Sequence, residues 1–326
     1  MARLRRFGFR GALASTLVLG ACGDGPTTTL PAGALRNAVA VATYHGDLAT
    51  IAIGDTEVAS IGTLCREGIG PIVFAPDRSR LYAACGDGGI LVVNTETGAV
   101  LDTIALLANL DMALSPDGSR LYVPRGFDNQ SIGRLLVVST ANGEIVDSLL
   151  FPLHEPRRVG VGPDGTVYLA FNLLGIVVVP DGSHAPLDTV PPIDVIGPFA
   201  FSPDGQRMYA VADGLVVIDT PTMTVLDTLM PGTAVVAFAL DPAGGRAYLR
   251  ESRTLSVVDL ADGSVIATIG LDEAPGDVQT IAVTPDGAWV YASGQHDVEV
   301  ISTATNSVTA TIPLGTRNPS WIRINP

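Results

Sequence analysis

Along this chain, apolar residues come in short runs cut by clusters of Gly, Pro, Asp, Asn and Ser. Runs of this kind, rich in Val, Ile, Thr and Tyr and bounded by turn formers, read as β-strands. The stretch after Gln279 shows the pattern most fully: TIAVTP, AWVYASG, VEVISTAT and SVTATIPL predict four strands, termed a, b, c and d. Alternation within them is partial, and several are apolar on both faces, the pattern of sheets covered on both sides.

The same quartet recurs. Its marker is the turn between a and b: FAPDRSRLY from Phe74, LSPDGSRLY from Leu114, VGPDGTVY from Val161, FSPDGQRMY from Phe201, LDPAGGRAY from Leu240 and VTPDGAWVY from Val283. The prolines, at 76, 116, 163, 203, 242 and 285, are spaced by 40, 47, 40, 39 and 43 residues. A period near 40 made of four short strands predicts a β-propeller. In each Pro-Asp-Gly turn Pro presets φ, Asp accepts a local backbone hydrogen bond and Gly takes the left-handed position. An Asp repeated in nearly equivalent copies serves the turn, whereas a general base needs one special copy. A second turn, between c and d, ends in Gly98, Gly143, Gly263 or Asn306, residues that tolerate positive φ. Met223 breaks that pattern, and the VPDGSHAP segment of the fourth repeat departs further.

The ends of the repeat region set the blade count. Ile322 to Pro326 aligns with Ile281 to Pro285, 41 residues earlier, so the last segment reads as a strand a. The first repeat lacks one: VAVAT, LATIAI and EVASIGTL supply only b, c and d. The fold predicted is therefore all-β, a seven-bladed propeller with four antiparallel strands per blade, its first blade closed by the C-terminal strand. Units such as SPDGQRMYAVADGLVVIDTPTMTVLDTL resemble the YVTN-type β-propeller repeat, in which SPDG-x-x-x-Y is followed by a VIDT strand and a closing strand. The resemblance covers roughly residues 36–326 and implies an exported bacterial or archaeal propeller with surface-layer and lactonase-like relatives. It implies no single activity, because lactonase-like and quinoprotein-like propellers differ mainly in their loops. No repeated Trp-Asp pair closes strand c, which sets the chain apart from a typical WD40 protein.

The N-terminus changes the picture. MARLRRFGFR carries four arginines and no acid, and an apolar run from Gly11 to Ala21 precedes Cys22. A basic start, a short apolar segment and small residues before a cut read as a signal peptide over residues 1–21, too short to span a bilayer. LGAC resembles the bacterial lipobox, which implies acylation of Cys22, a lipid anchor in the cell envelope and a tether over residues 22–35 ahead of the propeller at 36–326. Gly23, not Asp, follows Cys22, so no inner-membrane retention signal is read. Loss of the leader shifts the net charge from −14 to about −18, which argues against nucleic acid as a partner.

Candidate chemistry lies in the loops joining b to c and d to a, which open on one face of the ring. The b–c loops contribute His45 and Asp47, Asp87, Arg125 with Asp128 and Asn129, Arg250 and Glu251, and His296 with Asp297. The d–a loops contribute His154 and Arg317. His45 and His296 fall at similar places in neighbouring blades, each followed by an Asp. One reading is a two-His, two-carboxylate metal or acid–base site; the other, favoured for want of HxH or HxxxH spacing, is polar loop tips. No G-x-S-x-G, P-loop or HExxH occurs, and Trp289 and Trp321, both in strand positions, give a quinone cofactor little support. No metal and no cofactor is expected. Cys65 and Cys85 fall on the same face of adjacent blades, and in an oxidising compartment a disulfide between them is an open alternative to free thiols. These features favour an envelope-anchored scaffold that binds a protein or small molecule at the loop face. The alternatives are an exported lactonase-like hydrolase or quinoprotein-like oxidoreductase, and a non-catalytic subunit of an envelope complex.

Overall fold

A computed structural model describes residues 30–108, 110–126, 132–171, 175–180, 188–189, 197–272 and 280–325. Seven four-stranded antiparallel sheets form it. The first blade is Ala38–Thr43, Asp47–Ala52 and Ser60–Thr63, and Pro319–Asn325 pairs onto its inner edge. Blades two to seven follow in chain order, from Ile69 to Ile104, Ala113 to Pro152, Pro156 to Thr189, Phe199 to Leu229, Ala237 to Gly270 and Ile281 to Pro313.

Each junction between successive blades is an apolar cluster, which explains why the strands are apolar on both faces. Leu48 and Trp321 of the first blade meet Leu81 and Val93 of the second. At the other end of the series, Tyr291 and Val300 of the seventh blade meet Val39, Ile51 and Ile322 of the first, so the packing closes into a ring. The repeated Tyr of the turn motif is part of this glue: Tyr82, Tyr122, Tyr168, Tyr209, Tyr248 and Tyr291 are all buried. Burial leaves each phenol needing a partner, and Tyr291 accepts the Gly54 N–H at 2.9 Å.

The closing strand runs antiparallel to the first, with Ala38 opposite Asn325 and Ala42 opposite Trp321. Ser320 Oγ donates to the Ile69 carbonyl at 2.7 Å, and Asn325 Nδ2 donates to the Leu35 carbonyl at 2.7 Å. That second bond bears on the expected tether. Leu30 and Leu35 are buried in the cluster between blades one and two, the Leu30 N–H donates to the Gly98 carbonyl and the Gly33 N–H to that of Glu96. Residues 30–35, read as part of the tether, thus pack against the first two blades, because two leucines in a Pro/Gly-rich stretch find apolar partners. The fourth blade is the one least described: of its strand d the described residues include Asp188–Thr189, and most of VPDGSHAP lies outside the described residues.

The repeated turn is held as its residues predict. The Asp117 carboxylate accepts from the Ser119 N–H at 3.0 Å and from Ser119 Oγ, while Gly118 takes a φ of 70°. Arg78 stands where other copies have Gly and adopts a φ of 63°. Hydrogen bonds from the Ser115 hydroxyl and then from Ser119 hold the Asp117 carboxyl down to about 2, and hydrogen bonding likewise lowers Asp77, Asp204 and Asp286. A carboxyl whose folded pKa lies below its unfolded value stabilises the fold above the unfolded value. That contribution is lost as pH falls from about 4 through about 2. We expect the melting temperature to fall across this window, and Asp117→Asn to flatten its share of the slope; parallel slopes in variant and parent would rule the linkage out.

Candidate functional site in the axial channel

The strand a of each blade lies next to the axis, and residues two apart along it share a face. Aligned on the turn prolines, the position three before the proline reads Val73, Ala113, Gly160, Ala200, Ala239, Ala282 and Arg323. Six are small or short, and one is a long cation. The position five before reads Pro71, Pro198, Ala237 and Thr280 in four blades, but Asp111, Arg158 and Trp321 in the other three. The ring therefore carries its polar and aromatic axial residues unevenly.

These exceptions meet. The guanidinium carbons of Arg158 and Arg323 lie 5.7 Å and 5.1 Å from the Trp321 ring centroid, within cation–π range. Arg158 belongs to the fourth blade and Trp321 to the first, which are not neighbours in the ring, so their side chains meet across the channel. Both arginines are half-buried, whereas Trp321 and Asp111 are buried. Asp111 is tied down by backbone: its carboxylate accepts from the Met112 N–H at 2.9 Å and, from the fourth blade, the Val159 N–H at 3.2 Å.

The electrostatics are those of crowded charge in a confined space. Burial pushes the Asp111 carboxyl up, opposed first by the Arg158 guanidinium and less by Arg323. Burial pulls Arg323 down; Asp111 opposes that, while Arg158, a like charge, adds to it. A guanidinium stays protonated at any physiological pH. Two such cations beside a single carboxylate leave the cluster net positive inside a chain of net charge −14.

The loop residues read as candidates differ widely in burial. His45, Asp87 and His154 are exposed, and His296 and Glu251 are half-buried. His154 stands edge-on to Phe171, Glu251 accepts from Ser256 Oγ at 3.0 Å, and Arg125 donates to the Leu107 carbonyl at 3.0 Å. Asp47 is not a loop tip: it is buried and accepts from Thr63 Oγ1 at 2.6 Å and Arg317 Nε at 2.7 Å. It thereby ties the first blade to the segment that enters its closing strand. Arg250 and Asp297 are likewise not loop tips but buried. Arg250, fully enclosed, reaches Glu299 of the seventh blade at 3.8 Å, and burial lowers its pKa and raises that of Glu299. The metal version of the two-His, two-carboxylate reading finds no support: no group of three or more His, Cys, Asp or Glu able to hold a metal occurs among the described residues. Asp128, Asn129 and Cys22 lie outside the described residues.

Cys65 and Cys85 are joined as a disulfide, with Cα atoms 5.5 Å apart. The bond ties the loop leaving the first blade to strand b of the second. Gly46 packs against this loop, where a Cβ would lie 2.0 Å from the Cys65 carbonyl oxygen, and its φ of 85° suits only Gly. The residues that converge, Asp111, Arg158, Trp321 and Arg323, were not among the sequence candidates. The signal that identifies them is the departure of three strands a from an otherwise small-residue register.

No family model matches this chain, and a search of curated proteins finds no match. Solved structures do match. A functionally unknown protein from Desulfotomaculum acetoxidans DSM 771 is similar with a TM-score of 0.73 and 13% identity, covering 88% of this chain and 98% of that one. Hydrazine synthase of Kuenenia stuttgartiensis is similar with a TM-score of 0.65 and 18% identity over 76% of this chain and 87% of that one. The dihydro-heme d1 dehydrogenase NirN, solved in complex with DHE, gives 0.61 and 15% over 93% and 67%. At such identities the likeness is one of fold.

Proposed function

We propose that this chain is an envelope-anchored binding scaffold of the YVTN-repeat type, whose variable face and axial channel take a ligand or partner without chemistry of their own. The observation that carries the reading is the convergence of Arg158, Arg323 and Trp321 on the axis. Guanidinium groups offer fixed charge and planar donors, and an indole offers a flat apolar face; neither shuttles protons near neutral pH. The one carboxylate among them, Asp111, is engaged by two backbone N–H groups. The lipobox-like LGAC at Leu19 to Cys22 supports export and a lipid anchor.

Full-length protein, extracted from a bacterial host with mild detergent and purified under native conditions, tests this. The expected results are an acyl modification on Cys22, release from the membrane fraction by Cys22→Ser, and a co-purifying protein or small molecule. Two of the similar structures are enzymes by name, so an exported oxidoreductase is the competing reading. A bound chromophore with redox turnover would establish it and overturn the scaffold.

A further inference from the structure

We propose that the axial channel is a binding site for a small dianion, a dicarboxylate or a phosphate, held between the guanidinium groups of Arg158 and Arg323 beside the Trp321 ring. The proposal rests on the binding reading above and names the class of ligand.

Three observations carry it. The first is placement: the aligned strands a put small residues at six of seven positions in one axial layer, and Arg323 at the seventh. A long cation there is not required for closing the blade, because the other six blades pack without one. The second is charge. Arg158 and Arg323 come from strands on different sides of the channel yet share one indole, and Arg158, a like charge, disfavours that of Arg323. None of the ion pairs among the described residues includes either of them. Arg323 Nη1 donates to the carbonyl of its neighbour Ile322 at 2.9 Å, which leaves most of its fork open, and both side chains keep solvent contact.

The third is that the channel's own carboxylate is occupied. Asp111 accepts from the Met112 and Val159 N–H groups and is in none of the ion pairs among the described residues, and its single charge balances at most one of the two cations. An oxyanion entering the channel would receive planar, charge-assisted hydrogen bonds from either guanidinium, and would relieve their repulsion in a setting less polar than water. One anionic group for each guanidinium gives the dianion; Trp321 supplies the flat wall against which a short carbon chain or a phosphate rests.

The test uses Trp321 as the reporter. The chain has two tryptophans, and Trp289 lies in another blade, so Trp289→Phe isolates the channel signal. Succinate and inorganic phosphate are titrated into this variant at constant ionic strength, with sodium chloride as control. The expected result is a saturable change in Trp321 emission with one or both dianions, weakened about tenfold or more by Arg158→Gln or Arg323→Gln. A response no different from that of chloride, or a saturable one unaltered in both arginine variants, overturns the proposal. Which anion saturates at the lower concentration separates a carboxylate ligand from a phosphate.

Should an arginine variant fail to fold, thermal melting of the unsubstituted protein decides. A ligand that binds the native state raises the melting temperature in proportion to the logarithm of its concentration above Kd. A rise with succinate or phosphate beyond that with chloride supports the site, and none up to tens of millimolar, roughly the weak-binding limit, overturns it. Failure here alongside a co-purifying protein partner would remove the anion and leave the scaffold standing.

Discussion

Deletion of Ser320 to Pro326 is expected to collapse the ring, not trim it. The segment supplies nearly all of the first blade's inner strand, Trp321 to Asn325 pairing with Ala42 to Ala38. It also carries Trp321 into the junction with the second blade and Ile322 into the junction with the seventh. Burying each large apolar side chain contributes about 1.5–3 kcal/mol. Trp321, Ile322 and the partly buried Ile324 together therefore approach the whole net stability of a typical domain, about 5–15 kcal/mol. The truncated chain would expose a free edge on Ala38–Thr43, a template for pairing with other copies. Size-exclusion chromatography and thermal melting should show aggregation or a fall of about ten degrees, on the order expected for several kcal/mol in a chain of this size. A monomer with an unchanged melting curve would refute the role assigned to the closing strand.

The second large effect belongs to Arg250. Its side chain and that of Glu299 are fully buried where the sixth blade meets the seventh, and the Asp272 N–H donates to Glu299 at 2.7 Å. Removing one member of a buried pair strands the other charge, at a cost of about 3–5 kcal/mol, whereas replacing both with apolar residues of similar volume is often neutral. Arg250→Ala should therefore lower the urea midpoint sharply, and Arg250→Met with Glu299→Met should recover part of the loss, because buried Asp297 also faces the guanidinium and loses it in both variants. Acid should help the single variant selectively. Burial already raises the Glu299 pKa, with Arg250 opposing, so loss of Arg250 raises it further. A carboxyl whose folded pKa exceeds its unfolded value costs stability as pH rises between the two, and protonation restores it. The deficit of Arg250→Ala should then shrink as pH falls from neutral toward the unfolded glutamate value of about 4.3. A double variant no more stable than Arg250→Ala, with no pH dependence of the deficit, would show that the pair does not act as a unit.

Local chemistry made the fold legible. Turn residues at a fixed period reveal the blades, and the alignment of Ile322 to Pro326 with Ile281 to Pro285 reveals the closure, because register and turn geometry act over a few residues. Topology put Cys65 and Cys85 on one face of adjacent blades but left a disulfide and free thiols as alternatives; the structure joins them. Burial was harder to read. Arg250 follows an apolar strand and precedes Glu-Ser-Arg, which looks like a loop, yet the neighbouring blade covers it. Leu30 and Leu35 sit in PTTTLPAGAL, the composition of a linker, and are captured by a groove that only the assembled ring creates. The axial cluster was least legible. Arg158 and Trp321 stand in different repeats of an almost regular register, and their meeting depends on the curvature of the whole ring. Sorting loops by face directs attention away from strands a, where the exceptions lie.

The seating of Leu30 to Leu35 has a mechanical consequence. Tension applied to the chain ahead of Leu30 is not delivered straight to the closing strand. It first loads the Leu30 and Gly33 bonds to Gly98 and Glu96 on the second blade, and only then, through the Leu35 carbonyl, the Asn325 side chain on the first. Two blades joined by a disulfide share that load. The N-terminal segment thus works as a strain relief, so the ring can be pulled from its leading end without being drawn open at its seam.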